Sequence, residues 1–213
     1  ENTDIRFSYK MRLIDINSEN PQPHKIKAIV EELRKGALII YPTDSKYAFG
    51  CDLFNRKAVE KLCNIKEEKP GKMSFSFICK NISQVSEYAR QFDNGIFKFM
   101  KKVLPGPYTF ILNASQLVPK IVQAKKKTVG IRIPDNAVAL MIVEELGNPL
   151  ITSTVNFVDE EYGNEPWFMA DFFQNRVDYV IDSGTGSLDV TTVLDCTSGE
   201  IEIVREGIGD VEL

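Results

Sequence analysis

With 43% hydrophobic and 26% charged residues over 213 positions, the chain can build the core of one large globular domain or two small ones. No apolar run approaches the roughly 20 residues of a membrane span, no charged-then-apolar leader pattern opens the chain, and a net charge of −4 argues against a generic polyanion binder. One histidine, His24, excludes Ser-His-Asp, Cys-His and His-ligated metal chemistry as organising themes. The four cysteines (Cys51, Cys63, Cys79, Cys196) lack C-x-x-C spacing, so neither a zinc site nor a disulfide framework is expected, and free thiols in a reducing cytoplasm fit best.

Residues 1–10 are polar and unpatterned and read as an extension. Met11 opens a short alternating strand, so the domain is expected to span 11–213. Pro21 and Pro23 lead into a helix over 25–35 with Ile26, Ile29, Val30 and Leu33 on one face, ended by Gly36. A buried strand at 37–40 runs into Tyr41-Pro42-Thr43-Asp44-Ser45, whose short oxygens make either a ligand-holding turn or an ordinary hairpin, and a second strand follows at 47–51. A helix capped by Asn55 runs to Ile65 and gives way to a charged Gly/Pro loop, 66–73. A strand at 75–79, a helix at 92–103 carrying Ile96, Phe97, Met100 and Val103, and strands at 108–112 and 128–133 come next. Beyond them lie a helix at 136–146 closed by Gly147, a strand at 150–154 and an acidic loop at 158–166. A short helix at 166–174 with Trp167, Phe168, Phe172 and Phe173 inward follows, then strands at 179–181, 191–196 and 201–204. Helices interspersed among strands joined partly by tight turns predict a three-layer α/β (α+β) domain on a mixed sheet.

Several stretches suggest a site. Residues 57–127 hold 13 Lys and one Arg against four Glu and one Asp, a net +9 that leaves −13 for the remainder. That segregation makes either a basic face for nucleotide phosphates or RNA, or a set of solvated helix faces. Lys66, Lys69 and Lys72 offer point charges suited to polyphosphate, or simply a solvated loop. Thr152-Ser153-Thr154-Val155-Asn156 presents three hydroxyls and an amide at a strand end, more than burial satisfies without a partner. Arg132 stands mid-strand among apolar neighbours and must pair or point into a cleft, and Arg205-Glu206-Gly207 follows the last strand in the same way. Neither a G-x-x-x-x-G-K-[ST] nor a G-x-G-x-x-G fingerprint occurs.

These motifs, in this order, resemble the Sua5/YciO/YrdC family, whose best-known members make threonylcarbamoyl-adenylate for tRNA modification. The family's P-T-D-T-x-Y-G-L-G corresponds to Pro42–Gly50, its P-G-P-x-T to Pro105–Thr109, and its v-R-x-P to Val129–Pro134. Its S-T-S-A-N corresponds to Thr152–Asn156, S-T-V-x-D to Thr191–Asp195, and R-E-G to Arg205–Gly207. Two departures stand out. The family's K-x-R-P is here Lys66-Glu67-Glu68-Lys69-Pro70, with Glu68 at the arginine position if the lysine is aligned and Lys69 if the proline is, and a histidine of the synthases at the end of the next strand is expected to be replaced by Cys79. These changes, with Ser45 and Ala48, lean toward the YciO branch, while Asn156 keeps the synthase-like asparagine.

The resemblance implies a YrdC-like twisted sheet with a concave basic cleft and an activity converting L-threonine, bicarbonate and ATP with Mg2+ into threonylcarbamoyl-AMP and pyrophosphate. Lys66, Lys69, Thr109, Thr154, Asn156 and Arg205 would then bind the nucleotide, and Thr43, Arg132 and Thr191 the amino acid. No protein-held metal is implied. The alternative is an RNA-binding protein of the same fold, taking double-stranded RNA or tRNA without significant synthase activity. Neither reading involves a membrane, and both place the protein in the cytoplasm.

Overall fold

The structure, a computed structural model, describes residues 13–67, 75–123, 126–157 and 161–211. The expected extension at 1–10 lies outside these residues, as do most of the lysine loop (68–74) and part of the acidic loop. The described strands are β1 (Leu13–Asp15), β2 (Ile39–Tyr41), β3 (Ala48–Gly50), β4 (Ser76–Ile78) and β5 (Tyr108–Asn113), then β6 (Thr128–Arg132), β7 (Leu150–Thr154), β8 (Tyr179–Asp182), β9 (Thr192–Asp195) and β10 (Glu202–Arg205). They form one sheet in the order β1-β8-β2-β3-β7-β4-β6-β5-β9-β10. The sheet is mixed: β1–β8, β2–β8, β4–β6 and β5–β9 run parallel, while β2–β3, β5–β6, β9–β10 and the sequence-distant β3–β7 and β4–β7 run antiparallel.

Helices pack on both faces. On one, α1 (Pro23–Arg34) and α5 (Ala137–Leu146) bury Ile26, Ile29, Leu33, Val138, Ile142 and Leu146 against Ile39, Tyr41, Ile78 and Leu150 of the sheet. On the other, α2 (Arg56–Ile65), α3 (Ile82–Tyr88), α4 (Asn94–Val103) and α6 (Pro166–Phe172) enclose a larger core built on Phe49, Phe77, Phe110, Ile131 and Ile151. The period-2 alternation of the strands supplies both faces: Ile39 and Tyr41 face one core and Ile40 the other. The three-layer expectation holds.

Local signals act where expected. Asn55 and Asn136 accept the backbone N–H groups of Ala58 and Ala139, and Gly147 closes α5 in the left-handed region at φ 79°. Three expectations need correction. The helix α3 was not anticipated; its seven residues are too few for a visible period, although Asn81 caps Gln84 N–H and marks its start. On α6, Trp167 and Phe172 are 48% and 51% exposed; Phe173 is buried as expected, and Met169 and Ala170 turn inward with it. Phe97 of α4 also faces outward, its inward place being taken by Phe99. Aromatic content alone cannot tell the two sides of a short helix apart.

Candidate functional site

One sheet face changes character along its width. Where α1 and α5 cover it, the outward positions are apolar: Ile78 on β4 and Leu150 on β7. Two residues along the same strands, the same face carries Ser76 and Thr152. On β6 and β5 it carries Thr128, Gly130 and Arg132, then Thr109 and Ile111, and Thr191 and Val193 continue it at β9. These residues line an open cleft of about 370 Å3, bounded by Lys66, Asn156 and Arg205. A sheet face dressed in hydroxyls and left uncovered by the described helices is built for a polar ligand.

Arg132 is 5% exposed and lies in the cleft floor. Its Nη2 donates to Asp44 Oδ1 and to Ser45 Oγ at 3.3 Å, while its buried Nε–H has no partner among the described residues. Asp44 spends its second oxygen on the Asp135 N–H at 2.8 Å. The turn that presents Asp44 is held by Thr43, whose hydroxyl accepts from Ser45 N–H at 3.0 Å and donates to the Lys46 carbonyl at 2.8 Å. Thr43 therefore sets up the Arg132 ion pair and is not itself among the lining residues. The stretch 41–52 is a working turn, and its Tyr41 ring fills the space where a Gly50 side chain would stand, 2.6 Å from the position of a Cβ. Burial pushes the Tyr41 phenol well above its ordinary range, so it stays neutral.

Arg205 is steered from the facing strand. Its Nε and Nη2 donate to the Thr191 carbonyl at 3.1 and 2.9 Å, and Nη2 also donates to Thr191 Oγ1 at 3.0 Å. Thr191 Oγ1 in turn lies 3.0 Å from Thr109 Oγ1. Gly207 allows the close approach behind this arrangement: a Cβ there would come within 2.3 Å of the Val190 carbonyl oxygen. The Thr192 hydroxyl fastens the turn, accepting from Gly207 N–H and donating to the Gly209 carbonyl. At the opposite rim the Lys66 ammonium donates to the Thr154 carbonyl at 2.6 Å and lies 5.3 Å from the Phe49 ring centre. Asn156 is exposed beside it.

Seven of the expected residues (Lys66, Thr109, Arg132, Thr154, Asn156, Thr191 and Arg205) thus come together in one cleft, while Lys69 lies outside the described residues. Thr152, flagged with the Thr152–Asn156 strand end, joins them, while Ser76, Gly130 and Thr128 were missed. Gly130 is pinned by Ser76, whose Oγ sits 2.2 Å from where a Cβ would be, so the backbone itself is the cleft floor there. The signal for them was the alternation of β4, β6 and β7, readable only once the covered end of that face is known.

Cys79 needs correction. It is fully buried in the core beneath the opposite face, with Phe77 and Tyr88. A strand turns successive side chains to opposite sides, so the cleft side of this strand end belongs to Ser76 and Ile78. Burial raises the thiols of Cys51, Cys79 and Cys196, the last to about 12, so none of these three is a thiolate nucleophile at neutral pH. His24 is exposed at the start of α1.

A protein-held divalent cation does not fit. No carboxylate is among the described lining residues, both oxygens of nearby Asp44 are committed, and the described residues contain no cluster of three or more His, Cys, Asp or Glu side chains able to hold a metal.

A mixed sheet with a hydroxyl-lined, cationic cleft on its half-covered face is the architecture of a known family. The Sua5_yciO_yrdC model, described as telomere recombination, matches residues 31–207, and the chain belongs to the Sua5/YciO/YrdC family. YciO of Escherichia coli (strain K12) is 38% identical over 199 residues, covering 92% of this chain and 96% of its own. The crystal structure of E. coli YciO superimposes with a TM-score of 0.87 over 95% of this chain and 98% of its own. A threonylcarbamoyl-AMP synthase of Coxiella burnetii is 29% identical over 177 residues, 83% of this chain and 95% of its own. Pyrococcus abyssi Sua5, solved with L-threonine, shares the fold at a TM-score of 0.82 and 23% identity, over 92% of this chain and 57% of its own. No helix among the described residues is long and apolar enough to cross a membrane.

Proposed function

We propose that the cleft binds ATP and a small amino acid and that the chain is an L-threonylcarbamoyladenylate synthase-type nucleotidyltransferase serving tRNA t6A modification. The observation that carries this is the gathering of Lys66, Arg132, Arg205 and a field of hydroxyls on one uncovered sheet face. In this reaction the threonine amine adds to CO2 derived from bicarbonate to give a carbamate. A carbamate oxygen then attacks the α-phosphorus of ATP, the bond to the bridging oxygen breaks, and pyrophosphate leaves. Such chemistry needs fixed cations and donors, with no imidazole.

The residues present have corresponding tasks. Arg205, held in one orientation by the Thr191 carbonyl, meets the α-phosphate, with Lys66 on the outer phosphates. Thr109, Thr154 and Asn156 position the nucleotide. The unpartnered Nε–H of Arg132 is a donor for a carboxylate or carbamate oxygen, and Asp44 keeps that guanidinium from turning away. With neither imidazole nor carboxylate among the described lining residues, the amine gives its proton to solvent.

Calorimetry with ATP tests the assignment: Arg205→Ala is expected to weaken binding about ten- to a hundredfold, equivalent to roughly 1.5–3 kcal/mol. Unchanged affinity removes Arg205 from the site. With the family's proline aligned, Lys69 stands where family members carry an arginine, and with its lysine aligned Glu68 does; neither side chain grips phosphate as a planar fork does. Threonine-dependent pyrophosphate release is therefore expected to run roughly 10- to 100-fold slower than in a member with the full motif. Equal rates would show that the loop needs no arginine.

The hairpin joining β5 and β6 favours a second reading. By sequence it carries Lys120, Lys125, Lys126 and Lys127, and it leads directly into Thr128 of the cleft. RNA would bind there through backbone phosphates, with little sequence preference and steep salt dependence. Binding that is absent at low salt, or insensitive to salt, rules this out.

A further inference from the structure

The cleft combines cations with a described lining of hydroxyls and one amide that includes no carboxylate. Lys66, Arg132 and Arg205 face the cavity, and none of the described lining residues is a carboxylate. The carboxylate beneath the floor, Asp44, is already divided between Arg132 and the Asp135 N–H. With Asp44 set against Arg132, the described lining still carries the charges of Lys66 and Arg205, whose printed contacts are to the Thr154 carbonyl and to the Thr191 carbonyl and hydroxyl.

From this we infer that the site recognises the phosphate tail of its nucleotide as the metal-free polyanion, and that magnesium is no part of the binding interaction. This rests on the nucleotide assignment above. Sites that take a nucleotide with its divalent ion usually supply a carboxylate or hydroxyl to the metal and read the reduced charge of the complex. Here the hydroxyl nearest a cation, Thr191 Oγ1, is engaged by Arg205 and Thr109, and an added divalent cation would place like charge beside Arg205. Metal-free ATP carries two more negative charges than its magnesium complex, and in a net-positive cleft those charges favour binding. A divalent ion then serves the departing pyrophosphate, in solution or on its own phosphates.

The test is isothermal calorimetry of the full chain with ATP at fixed ionic strength, once with excess magnesium and once with EDTA. The Kd in EDTA is expected to match the magnesium value within threefold or to lie below it. A Kd that rises by more than threefold on chelation overturns the inference while leaving nucleotide binding intact. Absence of binding in both buffers overturns the nucleotide assignment and this inference with it. Arg205→Ala supplies the second arm: removing a cation is expected to weaken metal-free ATP several-fold more than magnesium ATP. Equal losses in the two buffers would show that Arg205 does not read phosphate charge and would overturn its part in the inference.

Discussion

The two ends of a single sheet face make an instructive pair. At one end Ile78 and Leu150 lie under α1 and α5, fully buried. Two residues further along the same strands, Ser76 and Thr152 look into the cleft. The backbone, the register and the strands are the same, and only the covering layer differs. Burial of the apolar end holds the layers together at about 25 cal/mol per Å2 of apolar surface. The hydroxyl end forgoes that gain and keeps a surface that a ligand can use. Stability and binding are thus separated along the strand, not between domains.

Three substitutions would sharpen or break that separation. The largest effect is expected from Arg132→Ala, which leaves Asp44 buried with only one backbone partner. Removing half of a buried ion pair costs about 3–5 kcal/mol, measurable by urea denaturation. A loss below about 1 kcal/mol would mean that the pair is not part of the structural frame and belongs to the ligand alone. Next is Ile142→Ala on α5, beneath the covered end, where a truncated buried side chain costs about 2–4 kcal/mol. Nucleotide affinity, measured where the variant is still folded, is expected to stay within twofold of the parent. A parallel loss of affinity would show the two ends to be coupled. The smallest effect is expected from Cys79→His, which forces an imidazole into the opposite core at about 1–3 kcal/mol. Its turnover with threonine is expected to stay at or below the parent rate. A gain would return this position to the active site.

How far the sequence reveals this molecule depends on the range of the interaction involved. Local chemistry was legible: Asn55 and Asn136 cap the helices they precede, Gly147 ends α5, and the six motif fragments fall on strand ends and turns that surround one cleft. Pairings between distant residues were not. The Arg132–Asp44 pair joins positions 88 residues apart. Arg132 could be seen to need a partner, but its strand carries no mark of which one. Face assignments failed where an error of a single residue changes sides, as at Cys79, and on α6, where a short aromatic run gave no period strong enough to choose between Trp167 and Met169. Ser76 and Thr128 read as ordinary strand residues because hydroxyls at a sheet surface are common, and only a face left uncovered by the described helices makes them a site.

The position of Arg205 has a kinetic side. It lies on β10, all four of whose residues are exposed and whose described pairing is to β9 alone, with a register irregularity at its end. Terminal strands of this kind open by fraying at small free-energy cost, while central strands exchange their amide protons only on global unfolding. A ligand that needs Arg205 in place binds only the closed form, so it should slow deuterium uptake at 202–205 far more than in β4 or β6, already protected within the sheet. The cleft is therefore completed by the least protected strand of its sheet, and the dwell time of a bound nucleotide is tied to how often that strand lifts away.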